Sequence, residues 1–185
     1  MLDIRGYGSM KVFIGGYPNR RFYHNWLYNW FGYSPKQKTK IRIDRYDTWT
    51  MDHTLAPIIL PMLKQLKETK HGSPMVDMKD VPQELRATKK QLDAYGWNGE
   101  TDPKFFDRWD WVLDEMIWAF EQKCRDDWES DYYEYRKIGP EEEKDPDSLF
   151  GLKLVWEDRE GRKAHQERMS NGFRLFGKYF ESLWD

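Results

Sequence analysis

Aromatic rings are the main apolar material from which this chain can build a core. Ten Trp, eleven Tyr and ten Phe supply 17% of its 185 residues, within a hydrophobic total of only 39%. The mean hydropathy of -0.95 is very polar, yet disorder requires few aromatics together with a large net charge. Here the formal net charge is -2. The composition therefore implies a folded protein packed on large side chains. No stretch approaches the roughly 20 apolar residues of a membrane-spanning helix, so no membrane partner is expected.

Cys124 is the only cysteine, which excludes an intramolecular disulfide and a four-cysteine zinc site and fits a reducing compartment. The first nine residues read as a leader or cloning scar ahead of a natural start at Met10, with no signal peptide. Residues 10–185 then have the length of a single domain.

Charge is unevenly spread. Between Lys11 and Arg45 stand eight cations (Lys11, Arg20, Arg21, Lys36, Lys38, Lys40, Arg42, Arg45) against one acid, Asp44; between Asp126 and Asp147 stand ten acids against Arg136, Lys137 and Lys144. Such segregation steers an anionic ligand to one face. It also fits two solvated surfaces, or head-to-tail association into a homo-oligomer.

Periodicity predicts an α+β fold. Three main helices, about 50–70, 104–128 and 162–184, are expected to pack on a small sheet of two to three short strands at 11–15, 40–44 and 152–156. A shorter helix is expected over Asn19–Phe31, where Phe22, Trp26 and Trp30 recur every four residues. Pro61 is expected to kink the first long helix. Residues 72–103 and 129–150 read as irregular connections, the former long enough to serve as a lid. The long helix 104–128 carries Trp on more than one side, which implies burial on several sides or an interface.

Three groups of residues carry possible chemistry. Asp44, Asp47, Asp52 and His53, with Tyr46 and Trp49 among them, lie where a strand leads into a helix, a frequent ligand position in mixed folds. Their spacing matches no strong metal signature, and aspartates there equally serve as caps and turn formers. Asp107, Asp110, Asp114 and Glu115 share a helix with Arg108, Trp109 and Trp111; a solvated acidic face is the alternative to acid–base work. Last, the cations of 11–45 interleave with Phe13, Tyr17, Phe22, Tyr23, Trp26, Tyr28, Trp30, Phe31 and Tyr33. Rings stack on bases while Arg and Lys hold phosphates, although core packing uses the same rings. A pI near 6.1 argues against long nucleic acid as a partner. His24, His71 and His165 have no neighbouring Cys or paired His and read as structural or exposed. No nucleophile triad, P-loop or dinucleotide fingerprint is present, so no catalytic residue, metal ligand or cofactor is expected.

Four stretches, IDRYDTWTMDHTLAPIILPMLKQLKETKHGSP, KVFIGGY, RWDWVLDEMIWAFE and NGFRLFGKYFESLWD, together cover under two-thirds of the chain. Through them the chain resembles a family of small accessory proteins of tailed bacteriophages, many of them marine or T4-like. The resemblance implies phage origin and the cytoplasm of the infected host as the setting; it implies no reaction. Joined to the aromatic–cationic pattern, it suggests a non-catalytic binder that sequesters a small nucleotide-derived signal of host antiviral defence. Arg20, Arg21 and Arg45 would hold phosphates, with Arg108 nearby. Tyr46, Trp49 or Trp109 would stack on a base, while Asp47, Asp52 and His53 complete the contacts. The alternatives are a protein–protein module inhibiting a host factor or serving in the virion, and a metal-dependent phosphohydrolase using Asp44, Asp47, Asp52 and His53.

Overall fold

The computed structural model describes residues 11–14, 22–32, 39–95, 101–125, 127–139, 148–149 and 151–184. The fold is α+β, and its contacts cluster into two compact units, residues 1–54 and 55–185, where length alone suggested one domain. Among the described residues no helix is long and apolar enough to cross a membrane.

In the first unit, strand β1 (Lys11–Ile14) pairs antiparallel with β2 (Thr39–Arg42), with Val12 opposite Ile41. Helix α1 (Phe22–Phe31) lies between them in sequence. It stops at Gly32, whose φ of 63° is a left-handed conformation and whose N–H bonds back to the Tyr28 carbonyl at 2.9 Å. That is a glycine C-terminal stop. Strand β2 ends two residues before Asp44, which caps a 3-10 turn at Arg45–Thr48.

Helix α2 (Met51–Thr69) follows and passes through Pro57 and Pro61 without ending. Both prolines stand on its exposed side, while Ala56 and Leu63 are buried on the other. Each proline deletes one backbone hydrogen bond; the burial of the opposite stripe holds the helix together across them.

The second unit is built around α4 (Phe105–Cys124), which buries nine of its residues, including Trp109, Leu113, Met116 and Phe120. Helix α5 (Arg159–Lys178) runs antiparallel to it: Trp109 meets Tyr179 and Trp118 meets His165. The close approach has a specific cause. A Cβ on Gly172 would lie 2.4 Å from the Ala119 side chain and 2.6 Å from the Glu115 carbonyl oxygen. Rings fill the space around this contact, with Phe120 edge-on to Phe173 and Phe176 at 5.2 and 5.0 Å. Such edge-to-face pairs add to what area burial alone contributes.

Helix α2 also runs antiparallel to α4, through a row of ion pairs whose order reverses. Lys64 meets Glu121 at 2.6 Å, Lys67 meets Asp114 at 2.5 Å, and Lys70 meets Asp110 at 2.6 Å. Asp110 and Asp114, expected on a solvated acidic face or in acid–base work, are thus the α4 side of this seam.

Between α2 and α4 the chain is more ordered than an irregular connection suggests. It forms a short 3-10 turn and helix α3 (Lys89–Asp93), started by a Thr88 and Gln91 capping box. Val76 and Val81 are buried. Asp80 accepts from the Tyr179 hydroxyl at 2.8 Å and meets Lys178 at 2.5 Å and Arg174 at 2.8 Å. The Asp77 N–H donates to the same Tyr179 oxygen at 2.9 Å. Residues 76–86 are therefore a strap pinned to the core, not a free lid.

The sheet expectation needs one correction. The strand expected at 152–156 does not join the other two; it is the centre of a separate antiparallel sheet in the second unit. That sheet has the order β3 (Tyr133–Lys137), β5 (Leu152–Glu157), β4 (Ser148–Leu149). The acidic stretch 129–150 was expected to be irregular, but it supplies both partner strands locally. Helix α4 packs on α5 and is linked to α2 by the ion pairs above.

Gly172→Ala is expected to destabilise by about 1–3 kcal/mol through overpacking, despite the helix propensity it gains. At Gly177, in the same helix, nothing lies within 4 Å of the place a methyl group would take, so Gly177→Ala is expected to stabilise by up to about 1 kcal/mol. Urea unfolding of the two variants measures both signs.

Candidate functional site

The described residues among the ten proposed from sequence are divided between the two units. Arg20 and Arg21 lie outside the described residues. Arg45, Tyr46, Asp47, Trp49, Asp52 and His53 belong to the first unit, and Arg108 and Trp109 to the second.

The first group is held by its own caps. The Asp44 N–H donates to Asp47 Oδ2 at 2.7 Å, and Asp44 Oδ1 accepts from the Tyr46 N–H at 3.1 Å. The Thr54 hydroxyl donates to the Asp47 carbonyl oxygen at 2.9 Å, tying the turn to the start of α2. Two acids three residues apart ahead of an apolar run make a reciprocal cap of this kind. The turn leaves three side chains together at the surface. The Arg45 guanidinium lies 5.0 Å from the Tyr46 ring centroid, and Tyr46 stacks on Trp49 at 6.4 Å with 19° between planes. Trp49 is 81% exposed. Asp52 and His53 stand on the first turn of α2. Among the described residues no three His, Cys, Asp or Glu side chains gather where one ion could be held.

Arg108 and Trp109 occupy a different environment, and their assignment to ligand contacts is corrected. Both are 1% exposed. Trp109 packs edge-on to Tyr179 at 5.7 Å. Arg108 donates to the Leu85 carbonyl oxygen at 2.8 Å, to Tyr95 Oη at 2.8 Å and, through both terminal nitrogens, to the Asp102 carboxylate. Tyr95 donates to the same carboxylate. Burial alone would push the Asp102 carboxyl up. The Arg108 guanidinium, the Tyr95 hydroxyl and the Lys104 N–H outweigh it and hold the group at about 2, below its ordinary 3.8. A buried charge survives only when paired and hydrogen-bonded; here the pair fastens Leu85, Tyr95 and Asp102 to α4.

Two surfaces were not anticipated from sequence. One is the apolar exposure of the first unit. None of its described side chains is buried, whereas Trp26, Tyr28, Trp30 and Phe31 of α1, with Ile41, Ile43, Tyr46 and Trp49, are exposed. Trp26 contacts Trp30 and Phe31 at about 6 Å, so the rings of α1 cluster. The other is a groove of about 610 Å³ in the second unit, between α2 and the end of the chain. Ile59, Met62, Leu66, Phe176, Phe180 and Trp184 form most of its walls, with Gln65 and Thr69 as its polar members. The four-residue ring spacing in α1 was legible in sequence, which left open whether the rings pack inward or meet solvent or a ligand.

No protein-family model, curated protein or solved structure matches this chain.

Removing the carboxylate with Asp102→Ala leaves Arg108 buried without its counter-charge, which typically costs about 3–5 kcal/mol. Because the folded carboxyl is depressed, its contribution is complete above pH ~4 and is lost as pH falls toward 2. The stability gap between the wild-type protein and Asp102→Ala, measured by denaturant titration at several pH values, should therefore narrow over that window.

Proposed function

We propose that this protein works by binding and not by catalysis: a phage accessory protein whose first unit docks on a partner protein through exposed aromatic side chains. The observation that carries this reading is the first unit itself, in which large rings stand in solvent and no described residue is buried. Tryptophan and tyrosine in such positions are the usual anchors of protein interfaces, because each removes a large area from water at little conformational cost. The cation excess between Lys11 and Arg45 selects a partner whose apolar patch is rimmed by acidic residues, and accelerates their encounter. A host factor or a virion protein would meet this description.

A second reading, sequestration of a small nucleotide-derived signal of host defence, is favoured by one arrangement. Arg45, Tyr46 and Trp49, assigned to phosphate holding and base stacking on sequence grounds, lie against one another at the surface. Stacking on an aromatic beside a guanidinium suits any nucleobase with a phosphate.

One variant pair separates the readings. Trp30→Ser and Trp49→Ser are surface changes, so unfolding stability should move by no more than about 0.5 kcal/mol. Combined, they should weaken a partner recovered by crosslinking in infected cells by roughly thirtyfold or more, as loss of interface anchors does. The wild-type interaction should also weaken with added salt. Recovery unaffected by the two changes would overturn the docking proposal. Calorimetry against cyclic dinucleotides and ADP-ribose derivatives decides the second reading: binding lost on Arg45→Ala and Trp49→Ser supports it, and no binding across the panel rejects it.

A further inference from the structure

The histidine expected to be structural, His165, sits at the centre of a ring cluster that joins three elements. It lies on α5 and stacks on Trp128 at 4.5 Å with 15° between planes. Trp118 of α4 is 4.8 Å away, and Tyr132 stands edge-on at 5.5 Å. Nδ1 pairs with the Tyr132 hydroxyl at 2.9 Å, whereas Nε2 is buried with no hydrogen-bond partner. Trp128 and Tyr132 bound the 3-10 turn Trp128–Tyr132 that leads directly into β3. One further bond from the Asp158 N–H to the Tyr132 carbonyl oxygen, 2.8 Å long, ties this turn to the start of α5.

The sheet that follows is joined to α5 at two places, this turn and the end of β5, where Glu157 meets Arg159 at 2.7 Å and Arg162 at 3.5 Å. Leu154, Val155 and Trp156 on its central strand, where a bulge opposite Glu134 and Tyr135 sets Val155 out of the pairing, are all exposed, as is Tyr135 on β3. A three-stranded sheet with so many exposed apolar side chains is marginal by itself. The turn is thus one of its two ties to the helices, and the rings of the turn pack on an ionisable one.

We propose that His165 is a pH-sensitive latch: neutral, it holds the turn 128–132 and the sheet beyond it on α5, and protonated, it releases them. The geometry gives the reason. An imidazolium has two N–H donors and no acceptor. The Tyr132 oxygen can accept one of them, but the proton on Nε2 would be buried without an acceptor, which is costly for a charged group. The surrounding charges do not offset this. Arg125, before the turn, is engaged with Asp127 at 2.9 Å and with Asp131 at 2.6 and 2.7 Å. Arg168, on α5, is engaged with Glu115 of α4 at 2.7 and 3.1 Å and lies 4.0 Å over the Trp118 ring. Stacking on Trp128 and the nearby Asp131 favour the cation, while burial and the two guanidinium groups oppose it. In sum, burial first and then Arg125 and Arg168 bring His165 below its ordinary 6.5, against the pull of Asp131. A group depressed in the folded state stabilises it above its unfolded value. That contribution is lost as pH falls through the folded value, so the latch weakens on acidification below pH ~6.5.

Native-state hydrogen exchange between pH 7.5 and 5, corrected for intrinsic rates, tests the latch on the intact chain. Once His165 titrates, exchange in 128–137 and 152–157 should accelerate by up to roughly tenfold per pH unit, while the interior of α4 stays protected. His165→Phe keeps a ring in the cluster and removes the titration, so its exchange over the same residues should be flat with pH. Acceleration spread evenly over the whole chain, or confined to 128–137 but unchanged in His165→Phe, overturns the proposal. Should His165→Phe fail to fold, the ring signals of the wild-type histidine followed by NMR replace it. The exchange midpoint must then coincide with the His165 titration, and a mismatch of more than about one pH unit overturns the latch.

Discussion

How closely α5 can approach α4 determines the shape of the larger unit. Gly172 lies against Ala119 and the Glu115 backbone with no room for a methyl group, and that contact sets the register of everything on either side. Toward the end of α5 it brings Phe173 and Phe176 onto Phe120 and Tyr179 onto Trp109. Toward the start of α5 it brings Arg168 to Glu115 and His165 to Trp118. A wider spacing would open voids around rings too large to rearrange, and well-packed interiors tolerate few such voids. The aromatic richness of the chain and the glycine in its last helix are thus one feature: large rings fill a core only where the backbones that carry them come close.

Charge then decides what is fastened to this pair of helices. Three lysines of α2 read three acids of α4 in reverse order, and exposed pairs of this kind contribute little energy each; their value is in fixing direction and register. The buried pairs are different. Asp80 gathers Tyr179, Lys178 and Arg174, and Arg108 gathers Asp102, Tyr95 and the Leu85 carbonyl. Each pins a part of the segment between α2 and α4 that has little regular structure of its own. Such pairs are costly to break and no more stabilising than apolar packing would be, so their contribution is specificity: the strap can be seated in one way.

These distinctions explain what was legible in the sequence. The α+β class and the three long helices could be read because amphipathic periodicity is local. Strand β3 escaped notice because Tyr133 and Tyr135 alternate within an acidic stretch whose composition resembles solvated loop, and only pairing with β5 reveals it. Arg108 looked like a ligand contact because a cation beside tryptophans does so in sequence. Its partner Asp102 lies six residues upstream, across Pro103, and nothing in the spacing announces that both are buried. The two aspartates of the 3-10 turn allowed either reading, and the capping geometry accounts for Asp44 and Asp47. His165 offered no signal at all, since its significance lies in Trp118, Trp128 and Tyr132, which are distant along the chain.

The second unit buries part of its large rings, whereas the first buries none of those described. In the second, Trp109 and Phe120 are covered, and the charges around them are paired. In the first, Trp30 and Trp49 are exposed, and the sequence around Trp30 is cationic, with Asp44 as the lone acid between Lys11 and Arg45. A unit that had to stabilise itself by burial would place its rings inward, because exposed tryptophan forfeits the largest hydrophobic gain any side chain offers. Rings left outward beside an excess of cations make physical sense when something else covers the one and neutralises the other. That pairing of needs, apolar cover and negative charge, describes the proposed partner of the first unit more narrowly than either need alone. It points away from a purely structural domain, whose stability would not call for both at once.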